Sequence, residues 1–454
     1  MAAIRPIFHL QPEKNWMNDP NGMCFIGEAF HMFYQHNPFE AVWGNMTWGH
    51  AVSPDMVHWK RLQHALHPDM PYDSGGVFSG CCVVHGGIPH ILYTGVYPET
   101  LCLAIGDAQG MVFHKYAGNP ILTRGDRELI GWRDPYVWRS GGEYRMLIGS
   151  GGEHGGFAEW YRSDNLKDWA PNGIFAHSKD YLLDDVIWEC PILLHNDSGE
   201  AALIVSAAPG FLTRLILGRF DAAANGSFSA TAPPCTFDLG DCMYAPNIVL
   251  HPDGRWILFG WQRETGDQEQ RAAQGWQGML TLPRELKLEA GALSVAPARE
   301  VDSLRRKCLL NVLNSACHSV AEITLAPHYE IEARVCAGAA GQAVFDLLGG
   351  CNENGSSVII ELSNGCVFTT NNIAPKSTAN PIIANISEQA EHYIRIFVDG
   401  TSIEVYVDSR YTLTTRAYPT GATSAATCLR VAAENGCVIK SLFVYEINNC
   451  YANT

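Results

Sequence analysis

Apolar runs recur in pairs along the first 300 residues: an aromatic residue opens a hydrophobic stretch, a Gly, Asn or Asp turn follows, and a second stretch answers it. Five such units align, beginning at Trp16 (WMNDPNGMCFIGEAFHMFYQ), Phe78 (FSGCCVVHGGIPHILYTG), Trp132 (WRDPYVWRSGGEYRMLIGSG), Trp188 (WECPILLHNDSGEAALIVSAA) and Tyr244 (YAPNIVLHPDGRWILFGWQ). Their offsets are 62, 54, 56 and 56 residues, close to the roughly 40 to 50 residues of one four-stranded blade plus some loop. The pattern predicts a five-bladed β-propeller, in which residues from separate repeats converge at the mouth of the central channel. An irregular set of packed hairpins is the alternative.

Past residue 310 the segments HYEIEARVCA, SSVIIELSNG, YIRIFVDG and SIEVYVDSR alternate apolar and polar positions with period two, the mark of antiparallel strands. Asp399-Gly400 falls between two of them and is suited to a hairpin turn. Composition shifts at the same place: all twelve tryptophans lie between Trp16 and Trp276, and all eleven methionines at or before Met279, although 175 residues follow. The expected organisation is therefore all-β, a five-bladed propeller over residues 1–300 followed by a β-sandwich over 310–454, with the charged stretch Arg299 to Lys307 at the change.

With 47% hydrophobic and 17% charged residues, the chain has ample material for cores and too little charge for disorder. Acidic residues outnumber basic ones 47 to 31, for a formal charge of −16. That excludes a general attraction to nucleic acid or to anionic membrane surfaces. No apolar run approaches the roughly 20 residues that span a bilayer, and MAAIRPIFHLQPEKNW lacks the apolar core of a signal peptide. A cytoplasmic protein is expected, with a processed secreted form as the alternative; a homo-oligomer is compatible with the sequence. Fifteen cysteines without a Cys-x-x-Cys pair read as buried, reduced thiols. Sequons stand at Asn45, Asn225, Asn354 and Asn385, but so short a motif arises by chance.

Three acids sit near the heads of repeats: Asp19 in Trp-Met-Asn-Asp-Pro-Asn-Gly, Asp134 in Trp-Arg-Asp-Pro and Glu189 in Trp-Glu-Cys-Pro. Taken singly, Asp19 and Asp134 read as turn residues. Glu189, between Trp188 and Cys190, reads as a carboxyl in an apolar setting whose pKa should rise. If each opening run is the innermost strand of its blade, all three face one pocket despite separations of 115 and 55 residues. Carboxylates in an aromatic-lined cavity suit glycoside cleavage, which needs a proton donor on the leaving oxygen and a carboxylate beside the anomeric carbon. Trp16, Trp43, Trp48, Trp132, Trp188 and Trp261 are candidates to pack against a sugar ring, at least half of them being expected in the core instead. Asn18, Gln35 and Arg133 are candidates to bind hydroxyls. His64-x-x-His67, and His85 with His90, lack an acidic third ligand and read as packed or surface histidines.

At these residues the chain resembles glycoside hydrolase family 32, the invertases, β-fructofuranosidases and fructan hydrolases. The resemblance runs in order through Trp16-Met-Asn-Asp-Pro-Asn-Gly22, Phe33-Tyr-Gln-His-Asn-Pro38, Trp43-Gly-Asn45, Trp48-Gly-His50, Phe78-Ser-Gly80, Trp132-Arg-Asp-Pro135, Glu189-Cys-Pro191, Gly260-Trp261 and Leu282-Pro-Arg-Glu-Leu286. It implies a five-bladed propeller followed by a β-sandwich. It also implies that Asp19 is the nucleophile, Glu189 the general acid/base and Asp134 the residue that stabilises the transition state through fructose hydroxyls. Such a retaining pair stands about 5 to 5.5 Å apart. Asp19 must then stay ionised, helped by nearby backbone N–H groups, while burial holds Glu189 protonated. Asn18, Gln35, Trp43, Phe78, Ser79, Arg133 and Trp261 match positions that line the fructose pocket, so a glycan on Asn45 would obstruct it and none is expected there. No metal or organic cofactor is implied. The partner is a small sugar, sucrose or a fructo-oligosaccharide, hydrolysed through a covalent intermediate.

One motif departs from the family pattern: Asp241-Cys-Met-Tyr-Ala245 has an additional residue between the acid and Tyr244. Asp241, Tyr244 and Cys190 are therefore expected only around the site, Asp241 returning to it if a bulge restores its direction. Two other readings stand beside hydrolysis. A transfructosylase shares the intermediate but passes fructose to a sugar acceptor, and a non-catalytic carbohydrate-binding propeller is built from the same parts.

Overall fold

Each aromatic-led run forms the first strand of a sheet. These strands are Asn15–Ile26, Gly76–His85, Gly131–Ser140, Ile187–His195 and Met243–Leu250. The apolar run that answers it pairs antiparallel as the second strand, at Ala29–Asn37, Ile88–Val96, Glu143–Gly152, Glu200–Ala208 and Trp256–Gln262. Outer strands complete five blades, I to V, and the five first strands touch in cyclic order, the fifth against the first. The computed structural model describes residues 4–153, 155–221, 226–265, 268–316, 319–336, 341–349, 358–363, 366–371, 384–385, 391–418 and 427–451. The sequons at Asn225 and Asn354 lie outside the described residues. Among those residues the one α-helix is the five-residue Gln268–Ala272.

The ring is closed by a short segment late in the propeller. Trp276–Gln277 pairs in parallel with Asn15–Trp16, and Met279–Leu280 pairs with Trp261–Gln262, so blades I and V are sewn together. Blades III and IV share a bridge at Gly151 and Ile187. They approach so closely that a Cβ on Gly149 would lie 2.4 Å from the Trp188 carbonyl oxygen. Glycine is required there for contact rather than for turning.

Two six-stranded sheets follow the propeller. Arg305–Ser315, Val438–Ile447, His328–Cys336, His392–Asp399, Ser402–Val407 and Tyr411–Arg416 form one; Ala321–Leu325, Thr427–Glu434, Gln342–Gly349, Val358–Ser363, Cys366–Asn371 and Ala384–Asn385 form the other. Their inward positions, among them Ile331, Phe345, Ile394, Val405, Leu429 and Val444, build one apolar core, the layered arrangement of a sandwich. The predicted hairpin is present but displaced by one residue: Asp399 still pairs with Ser402, and Gly400 and Thr401 make the turn, Gly400 at φ +60°. Asp399 is kept in the strand because its carboxylate accepts the backbone N–H groups of Ile7, Phe8 and His9.

Propeller and sandwich share a continuous buried cluster, with Phe8, Phe30, Trp59, Phe259 and Leu282 packed with Phe397, Tyr406 and Ile447. The chain end returns to blade I, where Trp59 donates to the Cys450 carbonyl.

Candidate active site

In each of the five first strands the pairing with the second strand slips at the same place. The irregularities fall between Met17 and Pro20, Phe78 and Gly80, Arg133 and Tyr136, Glu189 and Ile192, and Tyr244 and Asn247. A bulge leaves a residue unpaired, bends the strand and re-aims side chains. Its local cause is legible: Pro20, Pro135, Pro191 and Pro246 remove a ladder donor, and Gly80 takes their place in blade II. Just before them stand Asp19, Ser79, Asp134, Cys190 and Ala245. Asp134, Cys190 and Ala245 hold positive φ angles of 65°, 45° and 47°. The freed N–H of Asp134 donates to Thr94 Oγ1 of the preceding blade at 3.0 Å, and that of Ala245 donates to Ser206 Oγ at 3.1 Å. Asp19 and Asp134 are thus equivalent, whereas Glu189 occupies the preceding position, in register with Asn18, Phe78, Arg133 and Tyr244. The three acids therefore stand near the heads of their repeats, as the sequence indicates, but do not occupy one repeated position.

These two rings line a cavity of about 730 Å³. Asp19, Asp134 and Glu189 all face it, as do Asn18, Gln35, Trp43, Phe78, Ser79, Arg133, Cys190, Tyr244 and Trp261. Of the six tryptophans considered, Trp16, Trp43 and Trp261 reach it, while Trp48, Trp132 and Trp188 are fully buried in the blades. Trp43, 55% exposed, and Tyr97, 67% exposed, stand at the rim on either side of Phe78.

Asp19 accepts a hydrogen bond from Ser79 Oγ at 2.6 Å and another from Asn18 Nδ2 at 3.0 Å. Asn18 Oδ1 in turn accepts from Trp16 Nε1 at 2.7 Å. Burial pushes the Asp19 carboxyl up to about 6 against these donors, and the charge on Glu189 adds to the rise. Its support comes mainly from side chains rather than the expected row of backbone N–H groups, and it is ionised only above mildly acidic pH.

Glu189 is not in an apolar cage. Arg133 reaches its Oε1 at 2.8 and 3.1 Å, and the Tyr244 hydroxyl donates to Oε2 at 2.6 Å. Arg133 also pairs with Glu99, whose other oxygen accepts the Trp132 N–H at 2.8 Å. The guanidinium expected to bind sugar is thereby committed to holding Glu189. Burial and the adjacent carboxylate raise the Tyr244 phenol far above its ordinary range, so it remains a proton donor to Glu189.

Asp134 accepts the Cys190 N–H at 3.1 Å, and the Cys190 sulfur lies 3.6 Å from Asp134 Oδ2 and 3.8 Å from Asp19 Oδ2. Burial raises the Asp134 pKa, Arg133 opposes the rise, and the charges of Glu189 and Asp19 reinforce it. Burial and the three carboxylates hold the Cys190 thiol protonated. Three acids in one cavity with one shared arginine resist simultaneous ionisation.

Asp241 is not brought back to the cavity. Its N–H donates to the Thr414 carbonyl at 3.2 Å and its side chain bonds Thr415, because the additional residue carries it toward the sandwich. Conversely, sequence reasoning missed Glu99, Arg124, Phe211, Arg263 and Glu264, all of which line the cavity. The available signal was Trp261-Gln-Arg-Glu264, a pair of charges directly after a pocket aromatic. Glu264 accepts from the Gly278 N–H at 3.0 Å and is paired with Arg416 and Tyr418 of the sandwich.

Residues 9–297 match the model of the glycosyl hydrolases family 32 N-terminal domain, and residues 300–446 match the family 32 C-terminal model. The chain belongs to glycosyl hydrolases family 32. It is 34% identical over 330 residues to a raffinose invertase of Escherichia coli, covering 67% of this chain and 66% of that one. It is 30% identical over 461 residues to a sucrose-6-phosphate hydrolase of Zymomonas mobilis, covering 91% and 87%. Among solved structures, a β-fructofuranosidase variant of Bombyx mori in complex with sucrose superposes with a TM-score of 0.83 at 25% identity, covering 99% of this chain and 95% of that one. This family 32 member has the propeller and sandwich architecture of those neighbours.

Proposed function

We propose that the protein is a retaining β-fructofuranosidase that hydrolyses terminal β-fructofuranosyl linkages in sucrose and short fructans. Relatives named invertase and β-fructofuranosidase support the class of substrate. The observation that carries the mechanism is the pair of unlike carboxyls in one cavity: Asp19, cradled by neutral donors, and Glu189, gripped by Arg133 and Tyr244.

Ionised Asp19 attacks C2 of the bound fructosyl unit while Glu189 transfers its proton to the departing oxygen; the C2–O bond breaks and a fructosyl ester forms on Asp19. Asp134 accepts hydrogen bonds from fructose hydroxyls, and these strengthen as positive charge develops on the ring. With the leaving sugar gone, Glu189 takes a proton from water, the resulting hydroxide attacks C2, and Asp19 departs as carboxylate. Two inversions give net retention. Arg133 and Tyr244 keep Glu189 aimed through both steps, and Ser79 and Asn18 do the same for Asp19.

Product analysis on concentrated sucrose tests the reading. Equal glucose and fructose are expected; a fructose deficit indicates transfer to a sugar acceptor, and binding of sucrose without release of either indicates a non-catalytic sugar-binding propeller. Proton NMR of the first fructose released should show the β-anomer, and an α-anomer product would refute the covalent route.

A further inference from the structure

Glu189 must hold a proton before the glycosidic bond breaks and take one from water afterwards, yet it is bound by a full cation. Arg133 reaches its Oε1 through both Nε and Nη2. An unopposed guanidinium at that distance holds a carboxyl ionised, the wrong state for the first step. The charge is opposed, however. Arg133 Nη1 donates to Glu99 Oε1, and Glu99 Oε2 accepts the Trp132 N–H at 2.8 Å. Glu99 thus grips both the side chain of Arg133 and the backbone immediately before it.

The groups in this row come from successive blades. Glu99 lies between the strands Ile88–Val96 and Thr100–Gly106 of blade II, Arg133 on the first strand of blade III and Glu189 on that of blade IV. The Tyr244 hydroxyl extends the row into blade V. Gly131 leaves room for the guanidinium, since a Cβ there would lie 2.4 Å from Arg133 Nη1 and 2.4 Å from Ile187 Cδ1. Burial alone would lower the Arg133 pKa, but the charges of Glu189, Asp134 and Glu99 raise it overall, so the arginine is a fixed cation. The other groups whose charges act with Glu189 are the Tyr244 phenol, the carboxyls of Asp19 and Asp134 and the Cys190 thiol. Among the described residues no second cation pairs with Glu189. Whether it holds a proton therefore depends on how far Glu99 neutralises Arg133.

We propose that Glu99 is a positioning residue for the acid/base step: it aims Arg133 at Glu189 and shares the arginine's charge, so that Glu189 carries the proton the leaving sugar needs. The inference rests on the fructosidase reading above and adds what keeps that proton in place. Glu99 acts through Arg133 rather than on sugar: its side chain is 9% exposed, and each carboxylate oxygen is engaged by a donor. Removing its charge while keeping its size leaves Arg133 with one fewer anion and strengthens its hold on ionised Glu189. Protonation of the leaving oxygen then suffers, and attack by Asp19 does not.

The test compares kcat/KM of the wild type and Glu99→Gln across pH 5 to 9, on sucrose and on 4-nitrophenyl β-fructofuranoside, whose phenolate leaves without a proton from Glu189. On sucrose the alkaline limb is expected to move to lower pH by about one unit in the variant, a loss of about tenfold at pH 8 that shrinks toward pH 5. On the aryl fructoside the two proteins should agree within about twofold, because that leaving group needs no acid. A packing defect would lower both substrates alike. Glu99→Asp keeps the charge on a shorter side chain; it should lower kcat on sucrose without moving the limb, and it tests the inference alone if Glu99→Gln does not fold. An unmoved limb in Glu99→Gln, an equal loss on both substrates, or a moved limb in Glu99→Asp would overturn the role of Glu99. Turnover of neither substrate by the wild type would instead overturn the fructosidase reading beneath it.

Discussion

The propeller axis and the seam between propeller and sandwich both hold dense clusters of buried ionisable side chains, with opposite electrostatic results. At the seam, His9 bridges Asp399 at 2.7 Å and Glu404 at 2.9 Å, and Arg284 bridges Asp238 at 2.7 Å and Glu404 at 2.9 Å. Glu404 also accepts from Gln262, the Leu282 N–H and Tyr406. Burial alone would push these carboxyls up, but the donors and cations around them hold Asp399 and Glu404 down at about 2. On the axis burial wins, and Asp19 rises to about 6. Similar residue types therefore make a structural clamp where every charge is answered, and a reactive site where carboxylates outnumber their cations. Perturbation upward in a cavity, rather than the presence of buried acids, marks the chemistry.

The largest effect that sharpens this contrast is expected at the axis. Asp19→Asn should reduce kcat on sucrose by about 10⁴-fold or more, and Glu189→Gln by about 10² to 10⁴-fold. Stability should move the other way. Because folding raises the Asp19 pKa from 3.8 to about 6, its contribution to stability is present below about pH 4 and lost as pH rises through about 6. Asp19→Asn should consequently melt higher than wild type at pH 8, by about 1 kcal/mol, since the carboxylate faces a cavity where water screens part of the cost. A lower melting temperature there would break the comparison.

At the seam the same kind of deletion should be costly. Arg284→Leu leaves Asp238 and Glu404 without their shared cation, and a loss of about 3 to 5 kcal/mol is expected in urea unfolding. An unchanged midpoint would mean that the cluster does not clamp the two parts.

The pH dependence of the seam should be milder and opposite in direction at its two ends. His9 is raised from 6.5 to about 9, because its hydrogen bonds to Asp399 and Glu404 outweigh burial. Its contribution is full below about pH 6.5 and is lost as pH rises through 9. Asp399 and Glu404 contribute above about pH 4.5 and lose that contribution as pH falls toward 2. Melting temperatures of wild type and His9→Gln across pH 5 to 10 should converge at the alkaline end; parallel curves would remove His9 from the clamp.

The smallest effect is expected from Ser79→Ala, which deletes one donor to Asp19. If Asp19 sets the acid limb of kcat/KM, that limb is expected near pH 6 in the wild type and should move to higher pH in Ser79→Ala, by about 1 kcal/mol of lost stabilisation of the carboxylate. An acid limb that stays in place would show that Asp19 does not set it.

Much of this site was legible before folding. Asp19 and Asp134 directly precede prolines and Glu189 stands two residues before one, and a ladder donor removed at that place in four of the five first strands accompanies the bulges that aim them. Trp43 and Trp261 were legible as aromatics, whereas Trp48, Trp132 and Trp188, equally aromatic, are core because their strands turn them into the blades. Glu189 was misjudged from its neighbours in sequence, Trp188 and Cys190, because its environment is set by Arg133 and Tyr244, each about 55 residues away along the chain.

What the amino-acid sequence determines by itself is local and periodic: strands from alternation and apolar runs, turns from Gly, Asn and Asp, a repeat of about 56 residues, and a change of composition near residue 300. What only the tertiary structure decides is which charge answers which. Ion pairs and hydrogen bonds depend on separations of a few ångströms between groups that can be hundreds of residues apart, as Glu264 with Arg416 or His9 with Asp399. Closing the ring and docking the sandwich set those separations, and with them which buried carboxyls are clamped and which are left reactive.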